Sequence, residues 1–409
     1  MLKVKIETKH ILIVFVSFLI FFLCFQNAYI GKSIPSILTF QAYGRLLTLI
    51  ICVGYSWFLN RHLFKSKVCS FTYILCAVSM LSTVINGGKI VSCFNTFVPM
   101  LLIISSLELS KYRRNTLFIV LDTWKWMSVF VTLIDIVTEI RFPEGLYSTA
   151  LYTTNWFLGY KTERFIYIFP MIVMFGYVDL KKRKKLCSSF YMAYMIGIIA
   201  CYLSGATTCW TTLLFFIALY LIFRSLLGKK PSPWKQKLLY RLVDYRVAII
   251  LYAILLVCVL MAENIQFITD ITMMLGKEPT FSRRSLIWGV LILEILKKPI
   301  LGVGYLSSAE YVSIVSYIRG TNAHNMILTI LIYSGCIGFL IYWVMFVICL
   351  HRINKKYSII ELFLISSVYS FLITGVTSSI MVFSVFGSMH YWLLEYEKGD
   401  RLCAEKTFL

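Results

Sequence analysis

The sequence predicts an all-α, polytopic integral membrane protein with about twelve transmembrane helices, and three observations carry that prediction. Hydrophobic residues fill 59% of the 409 positions and charged residues only 14%, against about 25% charged in a soluble domain. The apolar residues gather in runs of about 17 to 25, long enough to cross a hydrocarbon core as helices. The basic residues fall in short clusters between those runs, as in Lys181 Lys182 Arg183 Lys184 Lys185.

Taken in order, the runs place spans at 11–30, 41–59, 68–86, 90–107, 116–139, 164–180, 187–204, 207–224, 247–263, 324–350, 358–376 and 379–395. The first is long for a signal-peptide core and lacks a small-residue cleavage site, so it reads as a retained span. The last two come from one apolar stretch, Ile359 to Leu394, which is too long for a single helix. Gly375 with Thr377, Ser378 and Ser379 offers the turn that divides it.

Positive residues are retained on the cytoplasmic side of a membrane. With twelve spans both termini face the cytoplasm, and the inside segments, Arg224 included, then hold 27 of the 40 Lys and Arg against 10 outside. A slip of one helix in the middle would scramble that bias. The formal charge of +21 is therefore a topology signal. Nucleic acid is excluded as a partner, since the clusters lack the aromatic interleaving and soluble fold of a reader. Of the twelve cysteines most lie inside apolar runs and none forms a CxxC pair, so they read as small hydrophobes.

The organisation that follows is a block of nine spans at 1–263, a large extracytoplasmic loop at 264–323, three spans at 324–395, and a cytoplasmic tail at 396–409. The loop contains a fresh helical stretch, Arg283 to Lys298, preceded by Pro279 and stopped by Pro299. Its apolar part, Leu286 to Leu296, is too short to span, so it lies along the surface or re-enters.

The sharpest chemical signal is in this loop. Arg283 and Arg284 stand at the start of a helix, where the dipole disfavours cations by about 0.3 to 1 kcal/mol each. An anion between them reverses that sign, and helix N-termini and guanidinium groups both suit phosphate. The alternative is a pair of interfacial arginines holding lipid headgroups. His324 opens the next span, with Asn322 placed to cap it. The positive helix end favours the neutral imidazole, the form a general base needs, although a lone loop histidine is also an ordinary structural residue. Gly302 and Gly304 permit close backbone approach to a ligand or an ordinary turn.

Within the spans, Asp122 and Lys125 are one turn apart and neutralise each other, while Arg45, Asp135 and Glu139 have no local partner. They line a cavity or pair across helices. No metal-ligand spacing, phosphate-binding loop or dinucleotide fingerprint is present, so neither a metal nor a cofactor is expected.

The order of the pieces resembles the O-antigen polymerase and ligase superfamily of bacterial envelope glycosyltransferases. The resemblance rests on Arg284 with Ile287 Trp288, on Pro299 Ile300 Leu301 Gly302 Val303 Gly304, on His324 Asn325, and on Gly335 Cys336 Ile337 Gly338. A weaker likeness, Phe157 Leu158 Gly159 Tyr160 Lys161 followed by Pro170, is to capsule and exopolysaccharide polymerases. The resemblance implies a polymerase of polyprenyl-pyrophosphate-linked oligosaccharide repeat units, in the bacterial cytoplasmic membrane and acting at its outer face. It implies His324 and Arg284 as catalytic residues, with Arg283, Asn325, Lys161 and Arg164 as substrate contacts. A chain-length regulator and a flippase would be partners in the same membrane. Ligase-like members often carry an arginine after a Ser-Gly turn between spans, and Ser204 Gly205 Ala206 Thr207 Thr208 Cys209 has none. Arg164 and Arg283 are the candidates to fill that place. A ligase for finished polysaccharide is the alternative within the class, and a lipid-linked-oligosaccharide flippase the alternative outside it. No pseudo-symmetric pair of broken helices favours a transporter.

Overall fold

The structure, a computed structural model, describes residues 2–25, 27–58, 63–149, 152, 154–228, 231–260, 284–315, 322–351, 357–378 and 383–407. Among these the chain is all-α. The helices run α1 (Leu2–Cys24), α2 (Ala28–Ser33), α3 (Pro35–Phe58), α4 (Lys67–Ile85), α5 (Ile90–Ser110), α6 (Arg114–Arg141), α7 (Phe165–Arg183) and α8 (Ser188–Leu203). They continue through α9 (Thr207–Leu227), α10 (Pro233–Val243), α11 (Tyr245–Leu260), α12 (Arg284–Lys297), α13 (Ser308–Ile314), α14 (Met326–Leu350), α15 (Ile359–Thr377) and α16 (Met389–Thr407).

Seven helices are long and apolar enough to cross a membrane, and three shorter apolar ones, Thr8–Cys24, Ser188–Leu203 and Tyr245–Cys258, accompany them. The chain is a polytopic membrane protein by this measure. Its lipid-like surround is legible in burial: only 22% of the apolar window of α3 is covered, leaving Phe40, Leu47, Ile50 and Ile51 bare, whereas 89% of that in α15 is enclosed. The central helix must satisfy its own polar groups. Ser366 and Ser370 bond back to carbonyls four residues earlier, and Thr374 meets Thr212 of α9 at 2.9 Å.

Two expected boundaries move. The first helix begins at Leu2 and ends at Cys24 instead of running to residue 30, and Asn27 starts the short α2 by accepting the amide of Ile30 at 2.9 Å. At the other extreme, residues 379–382 lie outside the described residues, Phe383–Ser388 form turns, and α16 begins at Met389. It runs past the expected exit at 395 because its charges have partners waiting. Glu397 and Asp400 meet Lys181 at 2.6 and 2.8 Å, and Glu395 accepts from Ser66 and from the free amides of Lys67 and Val68 at the start of α4.

One irregularity organises the region of the loop. Inside α14, Gly335 has φ 58° and ψ −158°, which interrupts the helical ladder. The segment after α12 is laid into the gap: Cys336 N–H donates to Pro299 O at 2.9 Å, and Val303 and Gly304 donate to Ile332 O at 2.7 and 3.0 Å. Its other edge is held by α4, where Asn86 Nδ2 donates to Gly302 O at 3.1 Å and Thr83 Oγ1 accepts from Tyr305 N–H at 2.9 Å. Broken helices survive in membranes where other protein groups satisfy the freed backbone, and here the loop does so.

Candidate functional site

Arg284 is the first residue of α12, and the helix is anchored by one face. Ile287, Trp288, Leu291 and Ile295 are buried, while Leu286, Leu293 and Leu296 are exposed. Trp288, one turn beyond Arg284, donates its indole N–H to Ala323 O at 2.7 Å. That bond ties the start of α12 to the residue before His324. The Ile-Trp pair is thus a strut that fixes the two candidate catalytic side chains relative to each other.

His324 itself adopts a left-handed backbone conformation, φ 47°, which a non-glycine residue takes only when its surroundings impose it. Asn322 Oδ1 accepts the His324 N–H at 2.7 Å, closing the turn. The expected cap moves one step on: Asn325 is the N-cap of α14, accepting from Leu328 N at 3.0 Å, and its Nδ2 donates to Val376 O at 3.1 Å. Asn325 is fully buried with both amide ends engaged by protein, which holds α14 against α15.

The imidazole feels Arg284. Burial and, second, the guanidinium charge push the His324 pKa down to about 3. Arg284 is itself lowered by burial, and among the described residues a phenol, Tyr160, and no carboxylate acts on its charge. The cation therefore stands near a neutral base with no carboxylate among the described residues to offset it. Because the folded pKa lies below that of an unfolded histidine, the stability due to a neutral His324 is complete above about pH 6.5 and is lost as pH falls toward the folded value. For the same reason kcat/KM is expected to show no limb from His324 between about pH 5 and 8. A bell centred near pH 6.5 in a pH–rate series would contradict that.

The weaker likeness upstream lands at the same place. Tyr160 lies within electrostatic reach of Arg284, which opposes the rise that burial gives its phenol. Its ring stacks on Tyr152 with centroids 3.9 Å apart, and Lys161 Nζ lies 5.5 Å from the centroid of the same ring. Glu163 closes this loop by accepting the Tyr160 N–H at 3.0 Å, and burial raises its carboxyl. From sequence Tyr160 entered only as part of the Phe157–Lys161 likeness and Glu163 not at all, because the relation of Tyr160 to Arg284 spans more than 120 residues.

Arg164, expected as a substrate contact, is placed differently. Its guanidinium is fully buried, meets Glu139 at 2.6 Å and Asp135 at 3.0 Å, donates to Ala200 O at 3.2 Å, and lies over the Trp156 ring at 5.1 Å. Asp135 also accepts the Leu158 N–H at 2.7 Å. The trio clamps the ends of α6, α7 and α8 and fixes the loop that carries Tyr160. It supplies the partners that Asp135 and Glu139 lack in sequence, and it stands close to the Ser204–Gly205 turn, where the resemblance leads one to expect an arginine. Asp122 and Lys125 do pair, at 2.5 Å, with Lys182 joining at 2.9 Å. Arg45 is buried in α3, and among the described residues its Nε and Nη1 have no hydrogen-bond partner. Arg283 lies outside the described residues. Among the described residues no three His, Cys, Asp or Glu side chains gather as a metal site.

A neutral imidazole and a guanidinium that no carboxylate among the described residues offsets thus meet at the opening of a broken helix in a polytopic bundle, an arrangement suited to holding an anion. The O-antigen ligase family model matches residues 190–343, a stretch that contains Arg284, the Pro299–Gly304 segment, His324 and Gly335, consistent with the O-antigen polymerase and ligase superfamily. The matched stretch is 154 of the 409 residues, and the family it resembles suggests a glycosyltransferase-like enzyme acting on lipid-linked sugars. No curated protein and no solved structure matches the chain.

Proposed function

We propose that the protein is a polymerase that joins polyprenyl-pyrophosphate-linked oligosaccharide repeat units at the outer face of the cytoplasmic membrane. The observation that carries the reading is the pairing of His324 with Arg284, the first neutral and the second without a carboxylate partner among the described residues. In the reaction, the acceptor hydroxyl of one lipid-linked unit attacks the anomeric carbon of the donor chain as the bond from that carbon to the pyrophosphate oxygen breaks. His324 takes the hydroxyl proton, and Arg284 holds the departing pyrophosphate through a forked pair of hydrogen bonds. Pyrophosphate is already a good leaving group, so guanidinium suffices without a metal. Lys161, next to Tyr160 in the same loop, would add charge for the same anion.

The polymerase reading is favoured over the ligase by the Phe157–Lys161 segment, whose likeness is to polymerases and whose Tyr160 lies beside Arg284. The ligase reading is favoured by the description of the matching family. Deleting the gene separates them: accumulated single lipid-linked units mark a polymerase, accumulated long lipid-linked chains a ligase. Arg284→Ala is expected to lower the rate of chain extension by about 100- to 1,000-fold. Arg284→Lys should restore a minor part of it, since ammonium keeps the charge and loses the fork. Normal chain-length ladders from Arg284→Ala membranes would refute the assignment.

A further inference from the structure

A basic cavity lies at the far end of α14 from His324. Its volume is about 620 Å³, and its walls bring together Lys237 and Arg241 of α10, Arg246 at the start of α11, and His351 at the end of α14. The two sites are separated by the full 25 residues of α14, roughly 37 Å at 1.5 Å per residue, so one ligand cannot occupy both.

Among the described residues, four cationic or protonatable groups from three elements face one carboxylate, that of Asp244, so the lining keeps a net positive charge. Asp244 Oδ1 accepts the Arg246 N–H at 2.9 Å, and the Asp244 carbonyl accepts from Tyr369 at 3.4 Å. The helix end beside the cavity does not supply negative charge either, because Lys398 Nζ donates to the last carbonyls of α14, at Cys349 and at His351. Tyrosines complete the walls, Tyr245 packing on His351 at 6.0 Å and Tyr240 on Tyr357 at 6.1 Å. Several convergent donors around an open, uncompensated positive cavity suit an oxygen-rich anion.

The depth of the cavity narrows the ligand. On α10, Leu239 and Val243 are buried in the bundle, while Trp234 and Leu238 remain 61% and 37% exposed among Lys235, Lys237 and Arg241. An apolar and aromatic face mixed with cations is what an interfacial helix presents to the headgroup layer. We propose that this cavity binds a phosphate ester, with the headgroup of an anionic phospholipid as its source. On the orientation that the charge bias predicts, that lipid belongs to the cytoplasmic leaflet, and its binding would brace the α10–α11 corner independently of chemistry at His324.

The test uses the purified full-length protein in detergent, titrated with phosphatidylglycerol, phosphatidylcholine or glycerol 3-phosphate and read by native mass spectrometry. Phosphatidylglycerol is expected to bind more tightly than phosphatidylcholine. Each of Lys237→Ala, Arg241→Ala and Arg246→Ala should weaken it by about five-fold, while Lys235→Ala, outside the cavity wall, should not. Glycerol 3-phosphate bound as tightly as the lipid, and lost in the same variants, would support the site with a soluble ester as its source. Equal binding of the two lipids, or wild-type affinity in all three cavity variants, would overturn it. None of these readouts depends on transferase activity, so they stand apart from the proposed function.

Discussion

Replacing His324 by asparagine is expected to reduce chain extension by about two to four orders of magnitude while the protein still inserts and folds. Asparagine is the informative choice because His324 sits at φ 47°, a region that Asn tolerates better than Ala. The Asn322 bond to the 324 amide, at 2.7 Å, needs no side chain at 324 and survives. What is lost is a proton acceptor. The imidazole is held neutral by burial and by the Arg284 charge, so it is ready to accept a proton at any physiological pH, whereas an amide is not. When the anionic donor binds at Arg284, the repulsion on the imidazolium falls and its pKa rises, which makes the proton transfer more favourable at the moment it is needed. Assays of chain extension with purified lipid-linked units would measure this. Wild-type polymer lengths from His324→Asn would remove the histidine from the mechanism.

The second large effect is expected from Gly335→Ala, and it is structural. At φ 58° and ψ −158° the residue occupies backbone space essentially reserved for glycine. An added Cβ would meet Gly302 N at 2.6 Å and the carbonyl of Ile300, and neither is a flexible side chain that could give way. The Pro299–Gly304 segment would have to leave the gap in α14, losing the bonds at Ile332 O and Pro299 O. Backbone strain of about 1 to 3 kcal/mol and three lost bonds of about 1 kcal/mol each give a destabilisation of the order of 4 to 6 kcal/mol. Thermal unfolding in detergent should show a clear drop. Gly302→Ala should behave alike, since its Cβ would lie 2.5 Å from Ile332 O. Gly289→Ala is the matched control: it lies within α12 with nothing within 4 Å of its Cβ, so a gain of about 0.5 to 1 kcal/mol is expected. A Gly335→Ala protein that melts with the wild type would show that the break in α14 is not held by this segment.

The position of the glycines shows how reading a motif differs from reading a fold. From sequence, Gly302 and Gly304 allow close approach to a ligand or an ordinary turn. In the structure the close partner is the chain itself, because Gly302 packs on the carbonyls of Leu331 and Ile332 and Gly304 on Thr83. The matched pattern of Pro-Ile-Leu-Gly-x-Gly followed later by Gly-x-x-Gly is the two halves of one backbone joint. Neither half announces this alone, since each glycine is needed only when the other helix is present.

The sequence by itself determined the membrane class, most helix positions, and the nomination of His324 and Arg284. Apolarity is additive along a run and basic clusters mark its ends, so these properties need no knowledge of neighbours. Tertiary structure alone decided what each polar group faces. Arg164 was turned from a substrate contact into the counter-ion of Asp135 and Glu139, and Asn325 from a site residue into a cap. Tyr160 was carried to Arg284. A charge buried among helices takes its state from whichever partner the packing supplies, and those partners lie far apart in the chain.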